Sequence, residues 1–104
     1  MSLLGLALLA LLTAGCDAEV PSEPGVSDSL MVEVLIGVHL ADARASRTGE
    51  PRDSLRATAL TALGTDTAAF HRALDYYAHH PDAYQPLYDR ALDRLLDERR
   101  QAVE

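Results

Sequence analysis

The sequence has a single cysteine, Cys16, and contains neither tryptophan nor lysine among its 104 residues. One cysteine excludes a disulfide within the chain, and it excludes zinc sites built from several thiolates. A chain of this length has room for one domain. Without disulfides, that domain must be stabilised by the packing of its apolar side chains.

Positive charge is also scarce, because nine basic residues, all arginines, stand against sixteen acidic residues and leave a net charge of −7. A chain this acidic repels a phosphate backbone, so we expect no nucleic-acid partner. It is not attracted to an anionic lipid surface either. Attachment to a membrane would therefore need a cause other than charge.

The longest apolar run, residues 3–12, contains only Leu, Ala and Gly. As a helix it would span about 15 Å, whereas the hydrocarbon core of a bilayer is about 30 Å thick. The run has the length of the apolar region of a signal peptide, and the small residues Ala14 and Gly15 precede Cys16. The alternatives are an ordinary signal peptide followed by a chance cysteine, or a buried helix.

Residues 12–16 resemble the lipobox of bacterial lipoproteins, with Thr13 where leucine is more usual. The resemblance implies a lipoprotein signal peptide over residues 1–15, palmitate or a similar acyl chain on Cys16, and attachment to the membrane through that lipid. We expect a location in the cell envelope, in the outer membrane rather than the inner membrane.

Residues 17–26 contain two prolines, one glycine and three acidic residues, without apolar periodicity. Proline favours an extended backbone and removes hydrogen bonds that a helix needs. The pattern predicts that the lipidated cysteine and a flexible acidic linker occupy residues 16–26. Fully extended, this linker would hold the domain at most ~35 Å from the bilayer.

Residues 27–104 show apolar positions at helical spacing and no strand-like alternation, which predicts an all-α fold, a small bundle of about four helices. The first helix is apolar around most of its circumference, so we expect it to be central. The predicted helices run from a cap at Ser27, Asp28 or Ser29 to about Ala45, from Ser54 to Leu63, from Asp66 to His79, and onward from Asp82.

The helix ends are marked by residues with known capping preferences. Asp53 and Thr65 are predicted N-caps, and Gly64 suits a left-handed C-terminal cap. Pro86 is expected in the first turn of the fourth helix, where its cost is smallest. The inward-facing residues predicted for that helix are Tyr84, Leu87, Tyr88, Ala91, Leu92, Leu95 and Leu96.

Three segments together resemble a bacterial lipoprotein family, domain-of-unknown-function family 4296, found mostly in Bacteroidota. They are residues 30–43, residues 70–78 with an early phenylalanine and paired tyrosines, and residues 81–95. Gly37 departs from the family pattern, which more often has an acidic residue there. The resemblance implies a helical lipoprotein and no known activity.

Two polar clusters are candidate sites. His71, Asp75 and His79 lie four residues apart, so one helix face presents imidazole and carboxylate groups that can bind a transition metal. Exposed polar residues on a solvated face would give the same pattern.

His39 and Asp42 are three residues apart, and Asp42 falls on the apolar stripe of the first helix. A buried carboxylate needs a partner, which His39, an arginine or a tyrosine hydroxyl would supply. The sequence therefore predicts a buried polar pair of His39 and Asp42 that fixes the helix register, with an acid–base pair as the alternative.

Signatures of serine or cysteine nucleophiles and of phosphate-binding glycine loops are missing from the sequence. We therefore expect a non-enzymatic protein-interaction module of the cell envelope, without a cofactor and with an envelope protein as its partner. The alternative is a small metal- or ligand-binding envelope lipoprotein.

Overall fold

The computed structural model describes residues 20–103, which form four α-helices and no strand. The helices are α1 (Asp28–Thr48), α2 (Arg52–Ala62), α3 (Thr67–Ala78) and α4 (Pro81–Val103). The predicted all-α fold is confirmed. Within residues 20–103, no helix combines the length and the apolar character needed to cross a bilayer.

Short polar side chains cap two of the helix starts. The Ser27 hydroxyl accepts a hydrogen bond from the Leu30 N–H at 3.1 Å, as predicted for α1. The Asp66 carboxylate accepts one from the Ala69 N–H at 2.8 Å, so Asp66, and not the predicted Thr65, caps α3. An ionised carboxylate is the stronger acceptor for the free N–H groups at a helix start.

The predicted cap of α2 at Asp53 is also wrong. The helix begins at Arg52, after Pro51 in an extended conformation, and no side chain caps it. Proline lacks an N–H and has a fixed φ, so it fits the boundary of a helix without a capping side chain. Asp53 lies in the first turn, where its charge interacts favourably with the helix dipole.

Glycines with positive φ end the first two helices. Gly49 has a φ of 75° and donates to the Ala45 carbonyl at 3.0 Å, so α1 extends about one turn beyond its predicted end. Gly64 has a φ of 78°, as predicted for a left-handed cap. Its N–H donates to the Thr61 carbonyl while Thr65 donates to the Leu60 carbonyl, which is the Schellman arrangement.

The core is built around α1, which packs against both α2 and α4 and confirms the prediction of a central helix. Met31 and Ala73 are completely buried, and Leu60 is 1% exposed. The other buried core residues are Val32, Val34, Ile36, Phe70, Tyr77, Leu87 and Ala91.

Fewer residues of α4 are buried than the sequence predicts. Leu87 and Ala91 are buried, but Tyr88 is 41% exposed and Leu96 is 51% exposed. Residues 96–103 are all exposed, because the domain covers only the first turns of α4 on one side. Pro86 is the sixth residue of the helix, beyond the predicted first turn, since α4 already begins at Pro81.

The segment before α1 packs against the domain. Pro21 and Pro24 are half-buried, and Val26 packs against the core cluster. Gly25 has a φ of 76°, and a Cβ built there would lie 4.0 Å from the Arg72 Cδ atom. Val26 thus joins the end of the predicted linker to the core, while the flexible linker over residues 16–26 stays a prediction. Residues 16–19 lie outside the described part of the chain.

Candidate functional site

The predicted lipid-attachment site, Cys16, and the predicted signal peptide, residues 1–15, lie outside the residues that the structure describes. The lipid on Cys16 remains a prediction from the sequence.

Asp42 contacts α2 and not His39. The Arg56 Nε and a terminal nitrogen donate to the two carboxylate oxygens of Asp42 at 2.7 and 2.6 Å. A second arginine, Arg52, lies 3.7 Å from one of those oxygens. His39 is exposed and Asp42 is half-buried, so the predicted buried pair of His39 and Asp42 is wrong. The arginine partner that the sequence left open is the one observed.

The charge environment of Asp42 suits a structural role. The hydrogen bonds from Arg56 hold the pKa of Asp42 below its usual value, against the opposing effect of burial. The same contact raises the pKa of Arg56. A carboxylate whose two oxygens are both held by a guanidinium is ionised and poorly placed to accept a proton. The pair therefore joins α1 to α2.

The three residues of the predicted metal face, His71, Asp75 and His79, are all exposed on α3. The His79 Nδ1 lies 3.0 Å from the Asp75 backbone carbonyl, and the His80 Nδ1 lies 2.8 Å from the Tyr76 carbonyl. Because a carbonyl only accepts, both imidazoles donate there and bond to backbone carbonyls in the last turn of α3. Among residues 20–103, no group of three or more potential ligands is placed to hold a metal.

The tyrosines belong to the core and its rim, as the helical spacing predicts. Tyr77 is buried, while Tyr76 and Tyr84 are half-buried and pack on the core cluster. Burial raises the pKa of Tyr77 and of Tyr84. The Tyr76 ring stacks on His80 with a centroid separation of 4.1 Å, which fixes the turn between α3 and α4.

A groove of about 310 Å³ lies between α1 and α2. Small residues let the two helices approach closely along it: a Cβ built on Gly37 would lie 3.7 Å from the Ala59 Cβ. Leu40 lines this groove and is 51% exposed. The other lining residues are Ala41, Arg44, Leu55 and Thr58. We call these residues, with Gly37 and Ala59, the α1–α2 groove.

The wall that α2 gives to this groove carries no charge. Residues 57–65 contain no ionisable side chain, although 24% of the chain is charged. The Thr58 hydroxyl donates to the Ser54 carbonyl at 2.9 Å, and the Thr61 hydroxyl donates to the Ala57 carbonyl at the same distance. The hydroxyl donors of both threonines are thus used within their own helix. The apolar circumference of α1 predicts burial on most sides, and no sequence pattern marked this groove.

The family model described as Domain of unknown function (DUF4296) matches residues 24–101. The chain belongs to the DUF4296 family. The match covers three quarters of the chain, includes most of α4 and all of the other helices, and begins at Pro24, within the segment that packs before α1. No curated protein and no solved structure matches the chain. Membership of DUF4296 defines the domain and assigns it no activity.

Proposed function

We propose that this DUF4296 protein is a lipid-anchored protein of the cell envelope whose helical domain binds another envelope protein and catalyses no reaction. The anchor is supported by the sequence: a short apolar leader, two small residues, and a single cysteine at position 16. Two or three acyl chains would make release from the membrane negligible.

The observation that carries the binding role is the exposed Leu40 beside the α1–α2 groove. Leu40, Ala41, Leu55 and Ala59 line one depression, so a helix seated in it would bury the exposed part of the Leu40 side chain. The two antiparallel rows of residues that line this groove offer spaces into which the side chains of a third helix pack.

The chemistry of the groove favours an uncharged helix as its occupant. An ionised side chain placed against the uncharged wall of α2 would lose water without gaining an ion pair. At one end of the groove, Arg44 already pairs with Glu50 at 3.1 Å. We propose that the partner presents a helix with small, uncharged residues to this surface.

The ionisable groups of the domain support a role without catalysis. Asp42 is held by Arg56, and an Arg94–Glu33 ion pair joins α4 to α1. His79 and His80 bond to backbone carbonyls in the last turn of α3. Each of these groups has a structural function.

The test is site-specific photocrosslinking in living cells with a photoreactive residue at position 40 or at position 96. Leu40 and Leu96 are both 51% exposed, so Leu96 is a matched control outside the groove. We expect one crosslinked protein of constant identity at position 40, joined through a helix with an uncharged contact face, and no such product at position 96.

A product with the mass of two copies of the chain would show that the groove binds a second copy of this protein, and would contradict the proposed envelope partner. Equal, heterogeneous crosslinking at both positions would contradict the proposed binding surface. With the photoreactive residue at position 40, Thr58→Asp on the facing wall should abolish the specific product while leaving the helical content of the domain unchanged, because Thr58 lines the groove and is exposed.

A further inference from the structure

We propose that the bilayer surface is a second partner of the domain, and that the side of α3 bearing Arg72 lies against the lipid headgroups. This inference rests on the proposed anchor at Cys16 and adds the orientation that the anchor imposes. We call the surface formed by Val20, Pro21, Ser22 and Arg72 the membrane-facing surface.

The first step is the length of chain between the lipid and the folded domain. Only residues 17–19 separate Cys16 from Val20. Four consecutive Cα–Cα steps span at most about 15 Å. Wherever Val20 is fixed on the domain, that point must lie within this distance of the anchored cysteine.

The second step is where the domain holds this segment. Val20, Pro21 and Ser22 line one depression together with Arg72 of α3. Val26 packs on the core, so the segment is fixed to the domain at one end and lies beside Arg72 at the other. The short tether therefore leads to the α3 side of the domain and keeps that side near the membrane.

The third step is the chemistry of the surface. Arg72 is exposed, and its aliphatic stem lies beside Gly25; among residues 20–103 its guanidinium makes no ion pair or hydrogen bond. A guanidinium donates two parallel hydrogen bonds to a phosphate, the group that lipids present at this depth. Val20 is 44% exposed and adds an apolar contact.

Attraction by charge does not hold the domain in place, because Asp75 lies three residues after Arg72 on α3 and Glu23 directly follows Ser22 of the membrane-facing surface. The tether supplies the proximity, and Arg72 selects which side faces the headgroups. Covalent tethering raises the local concentration of headgroups around this one arginine, so a weak contact suffices.

The orientation leaves the α1–α2 groove accessible. Leu40 lies about 18 Å along α1 from its start at Asp28, given a rise of about 1.5 Å per residue. The tether leads to the start of α1, whereas Leu40 and Arg44 of the groove lie beyond the middle of the helix. Membrane contact and partner binding therefore use different parts of the domain.

The test uses the full acylated chain in vesicles of phosphatidylethanolamine and phosphatidylglycerol that contain a headgroup-linked quencher. Because Cys16 is the only cysteine, Ala68→Cys and Ala43→Cys each provide a single free thiol for a fluorophore. Ala68 precedes Arg72 by one turn of α3, and Ala43 lies about 22 Å along α1. Both alanines are exposed.

We expect quenching at position 68 to exceed quenching at position 43, because position 68 lies one turn of α3 from Arg72. Arg72→Glu should lower quenching at position 68, whereas the matched variant Arg99→Glu should not. Equal quenching at both positions, or an unchanged result for Arg72→Glu, would overturn the proposed orientation.

The mass of the purified protein separates this inference from the function on which it rests. If the mass of the acyl chains is absent, both the proposed lipid anchor and the proposed orientation are contradicted. If the acyl mass is present and the two labels are quenched equally, only the orientation fails.

Discussion

Asp42 and Arg56 join the two helices that form the groove, through a pair of hydrogen bonds of 2.7 and 2.6 Å between α1 and α2. The carboxylate lies on the side of α1 that faces α2, and the guanidinium reaches it from fourteen residues away along the chain. This contact joins the two walls of the α1–α2 groove.

Replacing Asp42 should reveal the contribution of this pair to stability. The pKa of Asp42 is lower in the folded state than in an unfolded chain, so the ion pair stabilises the fold above the unfolded pKa. This contribution is lost as the pH falls through the folded pKa. We expect Asp42→Asn to lower the free energy of unfolding by about 1 kcal/mol at pH 7, a value limited by solvent screening of a half-buried pair.

Urea unfolding at pH 7 and at successively lower pH measures this effect. The difference between Asp42→Asn and the native chain should shrink as the pH falls below about 4. Asp93→Asn, at an exposed position of α4, is the control and should change stability little. A difference that stays constant with pH would show that the ion pair is not its cause.

Two glycine-to-alanine substitutions should act in opposite directions. A Cβ at Gly37 would meet Leu63 Cδ1 at 3.6 Å and Ala59 Cβ at 3.7 Å, which are ordinary contact distances. Because glycine weakens the interior of a helix, Gly37→Ala should raise the free energy of unfolding by about 0.5–1 kcal/mol. Gly49→Ala should lower it by about 1 kcal/mol, since its φ of 75° strains any other residue.

Thermal unfolding of the two variants is the measurement. Space is not the reason for the effect at Gly49, because nothing lies within 4 Å of a Cβ built there. If both variants shift the melting temperature in the same direction, the assignment of helix interior and left-handed cap to these two glycines is wrong.

The two prolines of α4 should also differ. Pro86 lies inside the helix, where its missing N–H leaves a carbonyl of the preceding turn without a partner. Pro81 is the first residue of the helix, where no such bond is lost. We expect Pro86→Ala to raise the free energy of unfolding by about 1–3 kcal/mol. Pro81→Ala should change it by less than about 0.5 kcal/mol.

Circular dichroism and urea unfolding of the two variants compare them directly. Both prolines are exposed, so neither substitution alters the core. A larger gain for Pro81→Ala than for Pro86→Ala would contradict the observed start of α4.

The number and order of the helices could be predicted from the sequence, because apolar periodicity, Gly64 and Pro81 mark them locally. The central position of α1 also follows from local information, since a helix apolar on most sides needs neighbours on several of them. The helix ends were less predictable. At the start of α2, for example, Pro51 precedes the helix and the expected cap at Asp53 does not form.

The candidate site could be predicted only in part. The sequence showed that Asp42 needed a partner, but the choice of Arg56 over His39 depends on how α2 packs against α1, which no local pattern specifies. The contact of Val26 with the core also depends on how the helices pack. The exposure of Leu40 likewise depends on which sides of α1 are covered by another helix.

The central claim is that lipid on Cys16 holds the protein in the cell envelope, and its most direct test is the intact mass of the native protein extracted from membranes. The account predicts a chain that begins at Cys16 and carries the added mass of a diacylglyceryl group, with Cys16→Ser unprocessed and unacylated. A native chain that begins elsewhere, or that carries a free thiol at Cys16, would contradict it.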